Sequence, residues 1–195
     1  MKRPQYEYSK EIYGLKGNGN KGASAVEMAI ILPILVLMVF GAIDFGRLFH
    51  ARQIMTNTAR EGASLASREI SLPTGTYSAA NLIDLLQAGA SPLDMASRGR
   101  IYIWRIAAGT SEDEPDPTID ASKSAADGAL GADSTIGTGK SNLGLDSDVY
   151  QHLVYDPDND TANIAQITVV EVFYEYRPLI PIIMGNQILS SRAVF

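Results

Sequence analysis

Gly22-Ala23-Ser24-Ala25-Val26-Glu27 runs straight into residues 28–43, sixteen positions without a single charge. A hydrocarbon core about 30 Å thick takes roughly 20 apolar residues in a helix. Residues 23–43 supply 21, with Glu27 the only charge, so the segment reads as a membrane-spanning helix. Pro33 removes one backbone donor and marks a position for a kink, which membrane helices tolerate better than soluble ones. The alternatives are a buried helix of a soluble domain and a secretory signal peptide. The apolar run is long for a signal peptide, and the Asp44-Phe45-Gly46-Arg47 that follows is no small-residue cleavage site.

Charge is distributed unevenly around this helix. Residues 1–22 carry five Lys/Arg against Glu7 and Glu11, whereas the rest of the chain carries 11 against 20 acids. A basic side before the span and an acidic bulk after it place the N-terminus in the cytoplasm and the C-terminal part on the other side. Residues 1–22 are glycine-rich and without clean periodicity, and they read as a cytoplasmic leader. The acidic bulk argues against nucleic acid as a partner, because phosphate binding needs a basic footprint. The chain has no cysteine, which excludes disulfides and thiolate metal sites.

Beyond the span, Asp44 and Arg47 stand three apart on a helix and can pair at the membrane interface. Phe45, Leu48, Met55, Ala59, Gly62 and Ala66 recur at spacings of three and four, interrupted by Arg52, so the helix extends over 44–68. Its small residues permit close packing, on its own domain's sheet and, for part of the face, on neighbouring subunits. Residues 69–195 then form a small α+β head. Residues 78–88 have helical spacing with Ser78 as cap. Residues 100–107 and 164–177 read as strands, with Thr168, Val170, Val172, Tyr174 and Tyr176 as the better core face. Residues 187–194 read as a last strand, antiparallel to its predecessor. Residues 109–145 are rich in Gly, Ser, Ala and Asp and read as a mobile surface loop, taken as 109–147 for the whole insertion.

Motifs for chemistry are few. Residues 17–22 match G-x-G-x-x-G, but a basic leader precedes them and a membrane helix follows, where a nucleotide site needs a strand and a crossover helix. Residues 134–141 resemble a phosphate-binding loop with Ser134 in place of its first glycine. Asp156, Asp158 and Asp160 alternate like the first ligands of a calcium loop, making them a weak calcium candidate. The glycine such a loop needs next is replaced by Thr161, and its bidentate acid by Ile167. His50 and His152 are the only histidines, and no nucleophile, base or acid pair is arranged for catalysis, so the chain reads as no enzyme and as needing no cofactor. Glu27 carries more information. A carboxylate in lipid costs a few kcal/mol. It can sit at the interface, or it can find a positive partner, and a free α-amino group on a neighbouring subunit, made by a cut after Gly22, is one.

These residues resemble a known family. Gly22 with Glu27 five positions on, followed by Met28-Ala29-Ile30-Ile31-Leu32-Pro33, is similar to a type IV prepilin processing site. The stretch is more closely similar to the TadE-like pseudopilins of tight-adherence (Flp) pilus systems, whose pattern continues like Phe40-Gly41-Ala42-Ile43-Asp44-Phe45-Gly46-Arg47 and Asn57-Thr58-Ala59-Arg60-Glu61-Gly62-Ala63. The resemblance covers residues 22–67, with a weaker likeness in 174–179 and 191–194. It implies a substrate of an inner-membrane prepilin peptidase that cuts between Gly22 and Ala23. It also implies partners among pilin and pseudopilin subunits, the assembly platform and membrane lipid. Glu27, Pro33, Asp44 and Arg47 would serve assembly. The head is larger than the small major pilin of such systems, which points to a minor pseudopilin of initiation or assembly in the bacterial inner membrane, with its entry into the pilus left open. The alternative within the same systems is an uncleaved, single-pass anchor or binding protein of TadG-like type.

Overall fold

The computed structural model describes residues 21–68, 77–158, 162, 164–181 and 185–195. The chain divides into two compact units, residues 1–42 and 43–195. The leader expected at 1–22 lies outside the described residues up to position 20. Helix α1 (Lys21–Ser67) supplies the described part of the first unit and opens the second.

In the first unit, α1 is long and apolar enough to cross a membrane, and none of its apolar window is buried. Ile30, Leu32, Ile34, Leu37 and Met38 are all exposed, so the helix is apolar on every side. Such a helix suits a membrane span or the deep core of a large protein. The helix continues through Pro33.

In the second unit the same helix becomes one-sided. Ala51, Met55, Ala59, Ala63 and Ala66 are buried at spacings of three and four, forming a single stripe. The spacing read from sequence puts Phe45 at the head of this face, but Phe45 is exposed and Asp44 is buried. At 3.6 residues per turn, positions 44, 48, 51, 55 and 59 fall in line and 45 falls to the side. The stripe is made of small residues because the sheet lies close. A Cβ added to Gly62 would stand 2.6 Å from Leu86 Cδ1 and 3.3 Å from Val170 Cγ1.

Among the described residues the sheet is antiparallel with five strands: β1 (Gly99–Ala107), β2 (Thr118–Ile119), β3 (Ala125–Asp127), β4 (Gln166–Tyr176) and β5 (Gln187–Val194). Its order is β2-β1-β4-β5, with β3 also paired to β1. This is the α+β architecture expected, a long N-terminal helix followed by a small antiparallel sheet. Helix α2 (Ala79–Gly89) starts at Ser78, whose hydroxyl accepts from the Asn81 N–H. That bond satisfies one of the free amides of the first turn. A short α3 (Met95–Arg98) leads into β1 and α4 (Ser147–Gln151) precedes β4.

Strand β4 is buried on both faces, and each face has its own core. Val170, Val172, Tyr174 and Tyr176 pack with the α1 stripe and with Leu82, Ile83 and Leu86 of α2. Ile167 and Val169 pack on the other face with Ile106, Ile136, Leu145 and Leu153. Ile136 and Leu145 belong to the segment expected as a surface loop. That segment also supplies β2, β3 and a tight turn at Ser141–Gly144. A strand apolar on both faces needs cover on both. A polar segment provides it here with very few apolar side chains, because the sheet contributes most of the apolar surface.

Candidate functional site

Gly22 and Ala23 lie in the first turn of α1 and are exposed, as is Glu27. Five residues of helix separate Gly22 from Glu27, about 7.5 Å along the axis. A Cβ at Gly22 would meet nothing within 4 Å. Glycine inside a helix is costlier than alanine by roughly 0.5–1 kcal/mol. Packing therefore gives no reason for glycine at 22, whereas it gives a direct one at 62.

Asp44 and Arg47 sit at the start of the second unit. Asp44 is 2% exposed. Its Oδ1 accepts from the Leu179 N–H at 2.8 Å and its Oδ2 from the Ile180 N–H at 3.1 Å. Its backbone carbonyl accepts from the Tyr176 hydroxyl at 2.9 Å. The Arg47 guanidinium stands 3.8 Å away, a looser contact than these. The Leu179 N–H first, and then the Ile180 N–H and Arg47, hold the Asp44 carboxyl below its ordinary pKa, while burial opposes them. Burial raises the Tyr176 phenol. The helix partner that spacing suggests for Asp44 is thus secondary to two backbone amides from the far end of the chain. The signal that could have found this is Asp44's position on the core-facing stripe, where a carboxyl needs donors.

Residues 22–64 match the family model described as TadE-like protein. This TadE-like segment lies wholly within α1 and takes in Gly22, Glu27, Pro33, Asp44 and Arg47. It therefore covers the exposed apolar helix and most of the stripe that the head packs on. No curated protein and no solved structure matches the chain.

Outside the TadE-like segment, the structure assembles a polar cluster that spacing alone misses. Glu171, 1% exposed on β4, accepts from the Ser134 and Thr135 hydroxyls and from the Thr135 N–H at 3.2 Å. Trp104 Nε1 donates to Ser134 Oγ at 2.8 Å, and Lys140 Nζ donates to the Ser134 carbonyl. The hydroxyls at the head of the loop that resembles a phosphate site are therefore engaged by the protein's own sheet. An acid in the middle of an otherwise apolar strand is the signal for such a cluster.

Asp156 Oδ1 accepts from the Asp158 N–H at 3.0 Å, and Asp160 lies outside the described residues. Among the described residues there is no group of three or more His, Asp or Glu placed to hold a metal ion. His50 is exposed on α1, and the His152 ring Nδ1 lies 2.6 Å from the Asp148 carbonyl oxygen.

Proposed function

We propose that this protein is a minor pseudopilin of a tight-adherence pilus assembly system, a structural subunit rather than an enzyme. The observation that carries this reading is the TadE-like match over 22–64, on a helix with an exposed apolar surface and a Gly22 that packing does not require. On this reading the N-terminus is cytoplasmic, residues 23–43 span the inner membrane and the head lies outside. A prepilin peptidase cuts between Gly22 and Ala23, where an absent side chain lets the backbone enter a narrow active site. The cut frees an α-amino group. At neutral pH that group is largely protonated, and it pairs with Glu27 of a neighbouring subunit. In a low-dielectric surround this pairing sets the axial register of adjacent helices. The partners are the peptidase, other pilin-like subunits and the assembly platform.

The test is the N-terminal residue of the protein recovered from cells that carry the peptidase. Ala23 is the expected result, with Gly22→Val leaving the chain full length and Glu27→Ala cut but unassembled. A protein that begins at Met1 in those cells sinks the pseudopilin reading and leaves an uncleaved TadG-like anchor in its place.

A further inference from the structure

The second unit carries a cavity of about 350 Å³ at the foot of its helix, lined in part by Arg47, Arg98, Arg177, Tyr174, Tyr176 and Gly46. Among the described residues no carboxyl lines it. We propose that this cavity binds the phosphate group of an anionic phospholipid headgroup.

The neighbouring acids are already engaged. The Asp44 oxygens take the Leu179 and Ile180 amides. Glu175 accepts from Arg177 Nε at 2.9 Å and Nη2 at 2.6 Å, and from Asn186. That pairs Arg177; Arg47 keeps a looser contact with Asp44 Oδ1 at 3.8 Å, and Arg98 adds a weaker attraction to the Glu175 carboxyl. The guanidinium groups of Arg47 and Arg98 donate no hydrogen bond among the described residues. Instead each lies over a ring, Arg98 at 5.5 Å from the Tyr174 centroid and Arg47 at 6.0 Å from that of Tyr176. An aromatic face holds a guanidinium in place and leaves its N–H edges free. Two such forks around one cavity suit a phosphate, which accepts bidentate bonds from each. His50 also lines the cavity, and Gly46 has open space where a Cβ would be.

The lipid source follows from what flanks the cavity. Arg47 is four residues beyond Ile43, about 6 Å along the helix. Leu179, two residues on from the Arg177 of the lining and on the segment that Asp44 holds, is 54% exposed. A basic cavity about one helical turn beyond the apolar run, with an exposed apolar side chain near it, fits a charged headgroup at an acyl-chain boundary. The lipid source rests on the membrane reading given above; the phosphate chemistry does not.

The experiment uses the full chain in nanodiscs containing both phosphatidylcholine and phosphatidylglycerol. Native mass spectrometry counts the lipids retained on release. Preferential retention of phosphatidylglycerol is expected, falling about tenfold in Arg47→Gln and Arg98→Gln and unchanged in Arg60→Gln, on the exposed side of α1. Far-UV dichroism checks that each variant is folded. A second arm titrates inorganic phosphate onto the chain in phosphatidylcholine discs and follows the melting temperature. A rise that the two arginine variants abolish, without lipid retention, keeps the phosphate site and makes its source soluble. Equal retention of both lipids with no response to phosphate, or identical behaviour of wild type and variants, overturns the proposal. A chain that refuses the discs but responds to phosphate counts against the membrane reading and leaves the site standing.

Discussion

Asp44 Oδ1 accepts a hydrogen bond from the Leu179 N–H across 135 residues of chain. The bond ties the first turn of the core-facing stripe to the segment that leaves β4, and Ile180 doubles it at 3.1 Å. Asp44→Asn keeps one acceptor oxygen and points an NH2 group at the other amide. Asp44→Ala leaves both amides without a partner, and an unmet buried donor costs more than a hydrogen bond gains. The melting temperature of the full chain in detergent is expected to fall in the order wild type, Asp44→Asn, Asp44→Ala. Hydrogen exchange at the Leu179 and Ile180 amides should rise in the same order. Undiminished protection of Leu179 in Asp44→Ala would show that the carboxyl does not hold this segment.

The same bonds give the head an acid-side pH dependence. The Leu179 amide, followed by Ile180 and Arg47, depresses the Asp44 pKa in the folded chain. A carboxyl with a depressed folded pKa adds stability that is complete above its unfolded value, about 4. That stability is lost as pH falls through the lower, folded value. Asp120, through Ser122, and Glu175, through Arg177, are depressed as well and contribute to the same window. The difference between wild type and Asp44→Asn isolates the Asp44 share. It should be constant from neutral pH down to about 4 and shrink below that. A difference that instead grows on acidification contradicts the assigned sign.

Much of this architecture is legible in the sequence, and the boundary of what is legible has a physical cause. The apolar run at 28–43 and the strand at 166–176 announce themselves because periodicity and length are local properties. The Ser78 cap is equally local. The cover provided by Ile136 and Leu145 is not, since a sparse pattern in a polar segment acquires meaning only when a sheet face lies beneath it. The partners of Asp44 and Glu171 are likewise set by where distant chain returns. Gly22 and Glu27 stand on one helix, as their place at the head of a long apolar run implies.

Glu171 provides a test of how the far face is held. Its carboxyl gathers Ser134 and Thr135, and Gly144 lies beside them with φ +82° and a Cβ position 2.0 Å from the Thr135 carbonyl oxygen. Glu171→Ala strips the acceptors from several buried donors and is expected to cost about 2–4 kcal/mol. Gly144→Ala strains the turn from the other side. Both should expose residues 109–145 to limited proteolysis while α1 and α2 stay intact. Protease resistance equal to that of wild type would mean that the apolar contacts of Ile136 and Leu145 hold the segment alone.

Two glycines of the TadE-like segment make opposite predictions. At Gly62 any side chain meets Leu86 and Val170 within 3.5 Å, while at Gly22 it meets open space. Overpacking a close helix–sheet contact costs typically about 1–3 kcal/mol. Gly62→Leu should therefore lower the unfolding free energy of the head by that amount and its denaturation midpoint with it, followed through the single tryptophan, Trp104. It should leave the size of the cellular protein unchanged from wild type. Gly22→Leu should leave the midpoint where it is and, on the pseudopilin reading, abolish the conversion to a shorter chain. Stability and processing are then separable on one helix. If Gly22→Leu lowers the midpoint as Gly62→Leu does, glycine at 22 is a packing residue after all and loses its value as evidence for a cut.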